Sequence, residues 1–196
     1  MKTIGITGGV GAGKSLILEY LEKHYNCRVL LADQVAHTVK EPGQPCYERL
    51  VELLGKEVLC PDGTIDKRKM AELIFSDEIL LQQVNALIHP AVEAYILEQI
   101  KLEKETGKLD FFFLEAALLI ECGYDRHLDE IWYIFADQKV RRTRLKETRG
   151  YSDEKIDSIM SSQLTEEVFR AHCKQVIDNS GSPEQTYKQI DQILRG

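Results

Sequence analysis

No stretch of about 18 apolar residues occurs in the chain, so the sequence offers no membrane span. A short β-branched segment runs straight into glycines at the N-terminus, with no apolar region of the secretory kind, and a cytoplasmic location is expected. Cysteines are few and scattered. Cys27, Cys46, Cys60, Cys122 and Cys173 are odd in number and contain no C-x-x-C pair, which argues against a disulfide framework and a structural zinc site. Reduced thiols that pack as small apolar side chains are the expectation. Positive charge is also short: 25 lysines and arginines stand against 32 acidic residues, for a net charge of −7. A broad basic face for nucleic acid is therefore missing, and any anionic ligand must be gripped by a local cationic pocket. Apolar content of 43% over 196 residues is enough to bury one core with appendages.

The most specific feature present is Gly8-Gly9-Val10-Gly11-Ala12-Gly13-Lys14-Ser15, which fits the phosphate-loop pattern G-x-x-x-x-G-K-[ST] at every fixed position. Glycines let successive backbone N–H groups turn into an anion-binding concavity, and the positive end of a following helix adds to the attraction. Lys14 then reaches the β- and γ-phosphates of a nucleotide, and the Ser15 hydroxyl completes the oxygen shell of magnesium. The context agrees with the motif. Met1 to Thr7 reads as a short buried strand, and Leu16, Ile17, Leu18 and Leu21, with Glu19, Glu22 and Lys23 between them, carry the spacing of an amphipathic helix. Gly8, Gly9, Gly11, Ala12, Gly13, Lys14, Ser15 and Leu16 thus make up the expected ATP-binding loop.

Further strands are predicted at Cys27–Leu31, Leu109–Leu114, Glu130–Phe135 and Gln175–Asp178, the third nearly all apolar and so central. Strands alternating with helices give a parallel five-stranded α/β sheet flanked by helices, of the P-loop NTPase type, with a closing helix from Pro183 to about Leu194. Asp33 stands just past the second strand, and in such sheets ligands bind outside the carboxyl ends of strands. From Asp33 to about Glu105 the pattern is helical, with breaks expected at Glu41-Pro42-Gly43-Gln44-Pro45, Cys60-Pro61-Asp62-Gly63 and His89-Pro90. Such an insertion exceeds what a connection needs and suggests a module covering a second substrate; a purely structural cap is the alternative. The expected organisation is a nucleotide-binding core (1–32, 106–137 and 174–196), a helical substrate insertion (33–105) and a lid (138–173).

The lid segment reads as a polar helical hairpin carrying Lys139, Arg141, Arg142, Arg144, Lys146 and Arg149. Glu147, Asp153 and Glu154 are available to pair with some of these on a solvated face. Beside a phosphate loop, however, such a run suits phosphoryl transfer, which needs cations on the transferring group, and Arg142, Arg144 and Arg149 are the candidates for ATP.

Several separated segments together resemble the dephospho-coenzyme A kinase family. They are the phosphate loop with its double glycine, Asp33 and Ala36, Glu41-Pro42-Gly43, Asp62 to Asp66 with Arg68, Ile74-Phe75, His89-Pro90, Leu118-Leu119 with Glu121, and Val176 to Asn179 with Gly181. They occur in the family's order over nearly the full length. The chain departs from the family pattern at Leu31, which replaces the first aspartate of D-x-D, and at His37, where arginine is usual. It departs again at Ala117, at Thr148, a common lid-arginine position, and at Cys173-Lys174, which replaces Ala-Asp.

The resemblance implies transfer of the γ-phosphoryl of ATP to the ribose 3′-hydroxyl of dephospho-coenzyme A, with magnesium at Ser15 and with Asp33 and Lys14 as catalytic residues. Asn179 joins the ATP-binding set, and Asp33, His37, Arg68, His89 and Glu121 form the substrate-binding set. Read from position alone, Asp33 equally suits the N-cap of the next helix, Arg68 an ordinary surface arginine and His89 a helix-break residue fixed by its proline. Small-molecule substrates, no nucleic acid, no membrane, and a monomer or weak homo-oligomer are expected. Another small P-loop nucleoside or nucleotide kinase, or a nucleotide-binding regulatory paralogue without activity, shares the same loop.

Overall fold

The computed structural model describes residues 1–195; Gly196, the last residue of the 174–196 segment, lies outside the described residues. Five strands are formed: β1 (Lys2–Thr7), β2 (Cys27–Leu31), β3 (Phe111–Glu115), β4 (Glu130–Phe135) and β5 (Gln175–Asp178). They make one sheet in the order β2-β3-β1-β4-β5, with parallel pairing of β1 to β3, β1 to β4 and β4 to β5. The central position of β1 explains why Thr3 to Thr7 are all buried, and β3 is interior, as its phenylalanine run predicts. β2 is an edge, half-exposed along its length. β3 is displaced from the predicted Leu109–Leu114: its paired residues begin at Phe111, opposite Lys2, and Glu115 is drawn in opposite Ile6.

The chain divides into two compact units, one of Met1–Val29 with Thr106–Gly196 and one of Leu30–Glu105. In the first, α1 (Lys14–His24) buries Ile17, Leu18 and Leu21, and α9 (Pro183–Arg195) packs on it through Tyr20 stacked on Tyr187 at 3.9 Å. Tyr20 and Tyr25 both donate to Asp191 Oδ1, at 2.8 and 2.5 Å, and burial followed by this bond pushes the Tyr25 phenol up to about 12.

A buried ionic cluster ties the start of the sheet together. The Glu130 carboxylate, 1% exposed, receives Trp132 Nε1 at 2.9 Å, Lys2 Nζ at 2.9 Å and Lys174 Nζ at 3.0 Å. Burial raises its pKa, but these three donors more than offset the burial and the net shift is downward. All five cysteines are free, and burial pushes the Cys27 thiol up to about 11 and the Cys173 thiol up to about 12, so both pack as neutral groups.

The polar segment expected as a hairpin is three helices: α6 (Gln138–Arg149), α7 (Asp153–Ser161) and α8 (Glu166–His172). Gly150 at φ 61° ends α6, the Ser152 hydroxyl accepts from Lys155 N–H to start α7, and Thr165 caps α8 in the same way.

The second unit is helical, with α2 (Ala32–Thr38), α3 (Tyr47–Leu54), α4 (Lys67–Ser76) and most of α5 (Glu78–Thr106). Asp66 caps α4 by accepting from the Arg68 and Lys69 amides, and a single antiparallel bridge joins Leu59 to Ile65. The break expected at His89-Pro90 does not occur: α5 runs through Pro90 for 29 residues. An interior proline removes one helical hydrogen bond, here to the Ala86 carbonyl, and costs about 3 kcal/mol. Val84, Ile88, Val92, Ile96 and Ile100 are all buried on one stripe that continues across the proline, and each such side chain contributes about 1.5–3 kcal/mol, so packing wins.

Candidate active site

At the carboxyl end of β1 the chain turns through the predicted phosphate loop. Gly8 adopts φ 151°, and a Cβ there would stand 2.5 Å from the Ile134 carbonyl oxygen, so the loop can leave the strand only at glycine. Gly13 adopts φ 88° as the N-cap of α1, and a Cβ on it would run into the Asn179 amide. Ala12 N–H closes the turn onto the Gly9 carbonyl at 3.0 Å. No side chain caps α1, so the first amides of the helix are left for another acceptor, which is the arrangement that holds a phosphate.

Lys14 opens α1 and folds back on the loop. Its Nζ donates to the Gly8 carbonyl at 2.8 Å and lies 3.3 Å from Glu115 Oε1 at the end of β3, with both side chains only 14% exposed. Ser15 is exposed beside it, and Leu16 is half-buried. A hydroxyl at the exposed start of a helix, next to a glycine cradle that excludes side chains, suits magnesium carried in by phosphates, which needs hard oxygen donors and keeps waters. Among the described residues no group of three or more His, Cys, Asp or Glu is placed to hold a metal by itself.

The arginines of α6 have different partners. Arg144 reaches the loop, with Nη1 donating to the Ala12 carbonyl at 3.3 Å and Nη2 to the Asn179 carbonyl at 2.8 Å. Asn179 is 1% exposed; its Nδ2 donates to Ala12 O at 2.7 Å and its Oδ1 accepts from Thr186 at 2.9 Å, which pins the end of β5 to the loop. Arg142 is engaged elsewhere, its guanidinium bridging Asp153 at 2.8 Å and Asp157. Arg149 is exposed at the end of α6, with its guanidinium 6.0 Å from the Tyr151 ring.

Arg141, on α6, also reaches the loop and is absent from the sequence-based ATP-binding set. Its Nε donates to the Val10 carbonyl at 2.9 Å, its Nη2 donates to Gln163 Oε1 at 2.5 Å, and its guanidinium fills the space a Gly9 Cβ would need. Burial lowers its pKa, and the Tyr133 phenol opposes that shift. Nothing in a run of arginines distinguishes the one on the inner face of the helix. The second omission is Glu115, whose only signal is a charge ending an apolar strand.

The remaining candidates are described within their own units. Asp33 lies in the first turn of α2, exposed, and α2 is capped by Leu31 with no side-chain cap bond, so Asp33 is not the cap. His37 follows on the same helix; burial, Lys40 and Lys67, in that order, lower its pKa, and Asp33 opposes them. Arg68 is 86% exposed and pairs with Glu72 one turn along α4 at 2.9 Å. His89 is exposed within α5 rather than at a break. Glu121, in the sheet unit, is exposed in the turns after β3.

Residues 2–185 match the family model described as Dephospho-CoA kinase. The chain is 34% identical over 191 residues to a dephospho-CoA kinase from Shouchella clausii, covering 97% of this chain and 96% of that one. It is 35% identical over 193 residues to one from Aquifex aeolicus, with 98% and 96% covered. A Thermus thermophilus crystal structure superposes with TM-score 0.77 at 30% identity, covering 99% of this chain and 96% of that one. A dephospho-CoA kinase structure from Campylobacter jejuni superposes with TM-score 0.75 at 23% identity, covering 100% and 99%, which speaks to the fold. The match over nearly the whole length shows that the chain belongs to the dephospho-CoA kinase family.

Proposed function

We propose that the protein transfers the γ-phosphoryl group of ATP to the ribose 3′-hydroxyl of dephospho-coenzyme A, giving coenzyme A and ADP. The observation that carries this reading is the family match over nearly the whole chain, joined to a glycine loop whose lysine, with Arg144 reaching it from α6, has the chemistry the reaction needs. Phosphoryl transfer is mostly positioning and charge neutralisation. Amides of the loop from Gly8 to Ser15 hold the β- and γ-phosphates, and Lys14 exchanges its contact with Gly8 for phosphate oxygens as charge develops. Arg144 and Arg141 supply further positive charge from α6. The Ser15 hydroxyl would hold magnesium brought in with ATP, which would supply positive charge against the phosphates. Asp33 accepts the proton of the attacking 3′-hydroxyl through a carboxylate that makes no hydrogen bond or ion pair among the described residues. Segment 138–173 acts as a lid that excludes water once ATP is present.

No helix among the described residues is long and apolar enough to cross a membrane. The rest of the reading is a cytoplasmic enzyme of small molecules, monomeric or weakly self-associating; the net charge of −7 supports the absence of a nucleic-acid partner. The test is a coupled assay for ADP release with dephospho-coenzyme A, run beside adenosine and common nucleoside monophosphates. Saturable release with dephospho-coenzyme A alone is expected; equal or faster release with another acceptor overturns the assignment.

A further inference from the structure

Arg141 and Gln163 meet beside the glycine loop, and both belong to the sheet unit. The guanidinium of Arg141 is held at two of its three nitrogens. Nε donates to the Val10 carbonyl at 2.9 Å, and Nη2 donates to Gln163 Oε1 at 2.5 Å. A planar fork fixed at two corners cannot turn, so its third corner has a set direction. That corner, Nη1, makes no hydrogen bond or ion pair among the described residues. It lies over the loop: a Cβ on Gly9 would stand 2.8 Å from Nη1 and 2.5 Å from the guanidinium carbon.

Both acceptors on Arg141 are neutral. The nearby carboxylates are engaged elsewhere, Glu166 of α8 with Arg170 at 2.7 Å and Glu115 with Lys14 at 3.3 Å. A carboxylate in place of the Gln163 amide would hold the same fork more strongly, but it would also cancel the charge. An amide oxygen fixes the geometry and leaves the charge whole. The side chain of Gln163 makes no other hydrogen bond among the described residues, so aiming Arg141 is its one polar contact. It is presented from a fixed frame. Gln163 sits between α7 and α8, where Ile156 of α7 is fully buried and Phe169 of α8 stacks on Tyr133 of β4 at 4.6 Å.

We infer that Gln163 is a positioning residue for nucleotide binding: its amide oxygen aims Arg141 Nη1 at a phosphate oxygen over Gly9 and, being neutral, leaves the guanidinium charge to that phosphate. This rests on the loop as the ATP site, as read under Proposed function. Gln163 touches no substrate and acts only through Arg141. Its two contributions, direction and neutrality, separate cleanly by substitution. Gln163→Leu keeps the bulk and removes the acceptor, whereas Gln163→Glu keeps the acceptor and the reach and adds a charge.

The test is fluorescence titration of the full chain with a non-hydrolysable ATP analogue and magnesium, with the melting temperature measured on the same samples. Gln163→Leu is expected to weaken analogue binding by roughly 3- to 10-fold, up to the size of one charge-assisted contact. Gln163→Glu is expected to keep the melting temperature at or above the parent's, through its ion pair with Arg141, and yet to weaken binding by at least roughly 10-fold. In an Arg141→Met background, Gln163→Leu should change binding by less than about twofold, because the residue it acts through is gone. Three results overturn the inference while the loop stays the ATP site: Gln163→Glu binding within about twofold of parent, binding and melting temperature falling together in that variant, or a full Gln163→Leu effect without Arg141. A parent that binds no analogue overturns the ATP assignment of the loop and the inference with it.

Discussion

Arg141 donates its Nε to the carbonyl of Val10 at 2.9 Å, which brings a side chain of α6 onto the glycine loop itself. The contact fixes a guanidinium against Gly9, in the loop proposed to receive phosphate, and the hydrogen bond to Gln163 holds its far side. Arg141→Met is expected to weaken ATP-analogue binding by roughly 10-fold in a fluorescence titration, while Lys139→Ala, on an exposed position of the same helix, changes it by less than about twofold. Arg141→Lys should recover little, because an ammonium lacks the fork that spans Val10 and Gln163. Equal effects at both positions would mean that α6 acts through net charge alone.

Lys14 serves Gly8 and Glu115, and in the proposed reaction it exchanges these partners for phosphate oxygens. Removing it should lower turnover by at least roughly 10²-fold, as expected for a cation that interacts more strongly as charge develops. Near-parental turnover of Lys14→Ala at saturating substrates would place the ATP phosphates elsewhere.

Asp33 is not the cap of its helix, and this sharpens the expectation for Asp33→Asn. Transfer should fall by roughly 10²- to 10⁴-fold, the range for loss of a general base. Thermal or denaturant stability should move by no more than about 0.5 kcal/mol, because no capping bond is lost. A stability loss of the order of 1 kcal/mol with turnover preserved would make it a structural residue after all.

Glu130 gives the fold an acid-sensitive point. Its pKa is held below the ordinary value of 4.5, so the folded state binds this proton less readily than the unfolded state. The stabilisation is therefore complete above that ordinary value and is lost as pH falls below it toward the depressed one. Glu130→Gln should cost about 1–3 kcal/mol at pH 7, the scale of hydrogen bonds to a charged group, and should flatten the stability profile below about pH 4.5. An unchanged acid limb in urea denaturation would remove Glu130 from that account.

The parts of the molecule that depend on local chemistry were legible in the sequence. Apolar runs ending at turns gave the strands, and the glycines of the loop gave their own conformations. The long helix α5 was not legible, because Pro90 is a local signal for a break and the stripe from Val84 to Ile100 that overrides it is a tertiary one. Within the site, the loop follows from its motif, whereas Arg141 and Arg142 are neighbours in an arginine run and take opposite partners, Val10 and Asp153. A one-position difference on a helix turns a side chain by about 100°, and only the packing of α6 says which residue faces inward. Lys174, which departs from the family pattern, is accounted for by its ion pair to Glu130.

Asn179 carries a consequence for chemical ageing. It precedes Ser180-Gly181 in a turn, a setting in which an asparagine side chain is prone to attack by the next backbone nitrogen and to deamidation. Here the amide nitrogen is committed to Ala12 and the amide oxygen to Thr186, so the side chain cannot swing onto its own backbone without breaking both. Should deamidation occur, the donor facing the Ala12 carbonyl would become a carboxylate oxygen, and two acceptors would oppose each other beneath the phosphate loop. The asparagine that keeps the loop closed in the fresh protein is thus also the place where slow covalent damage would open it.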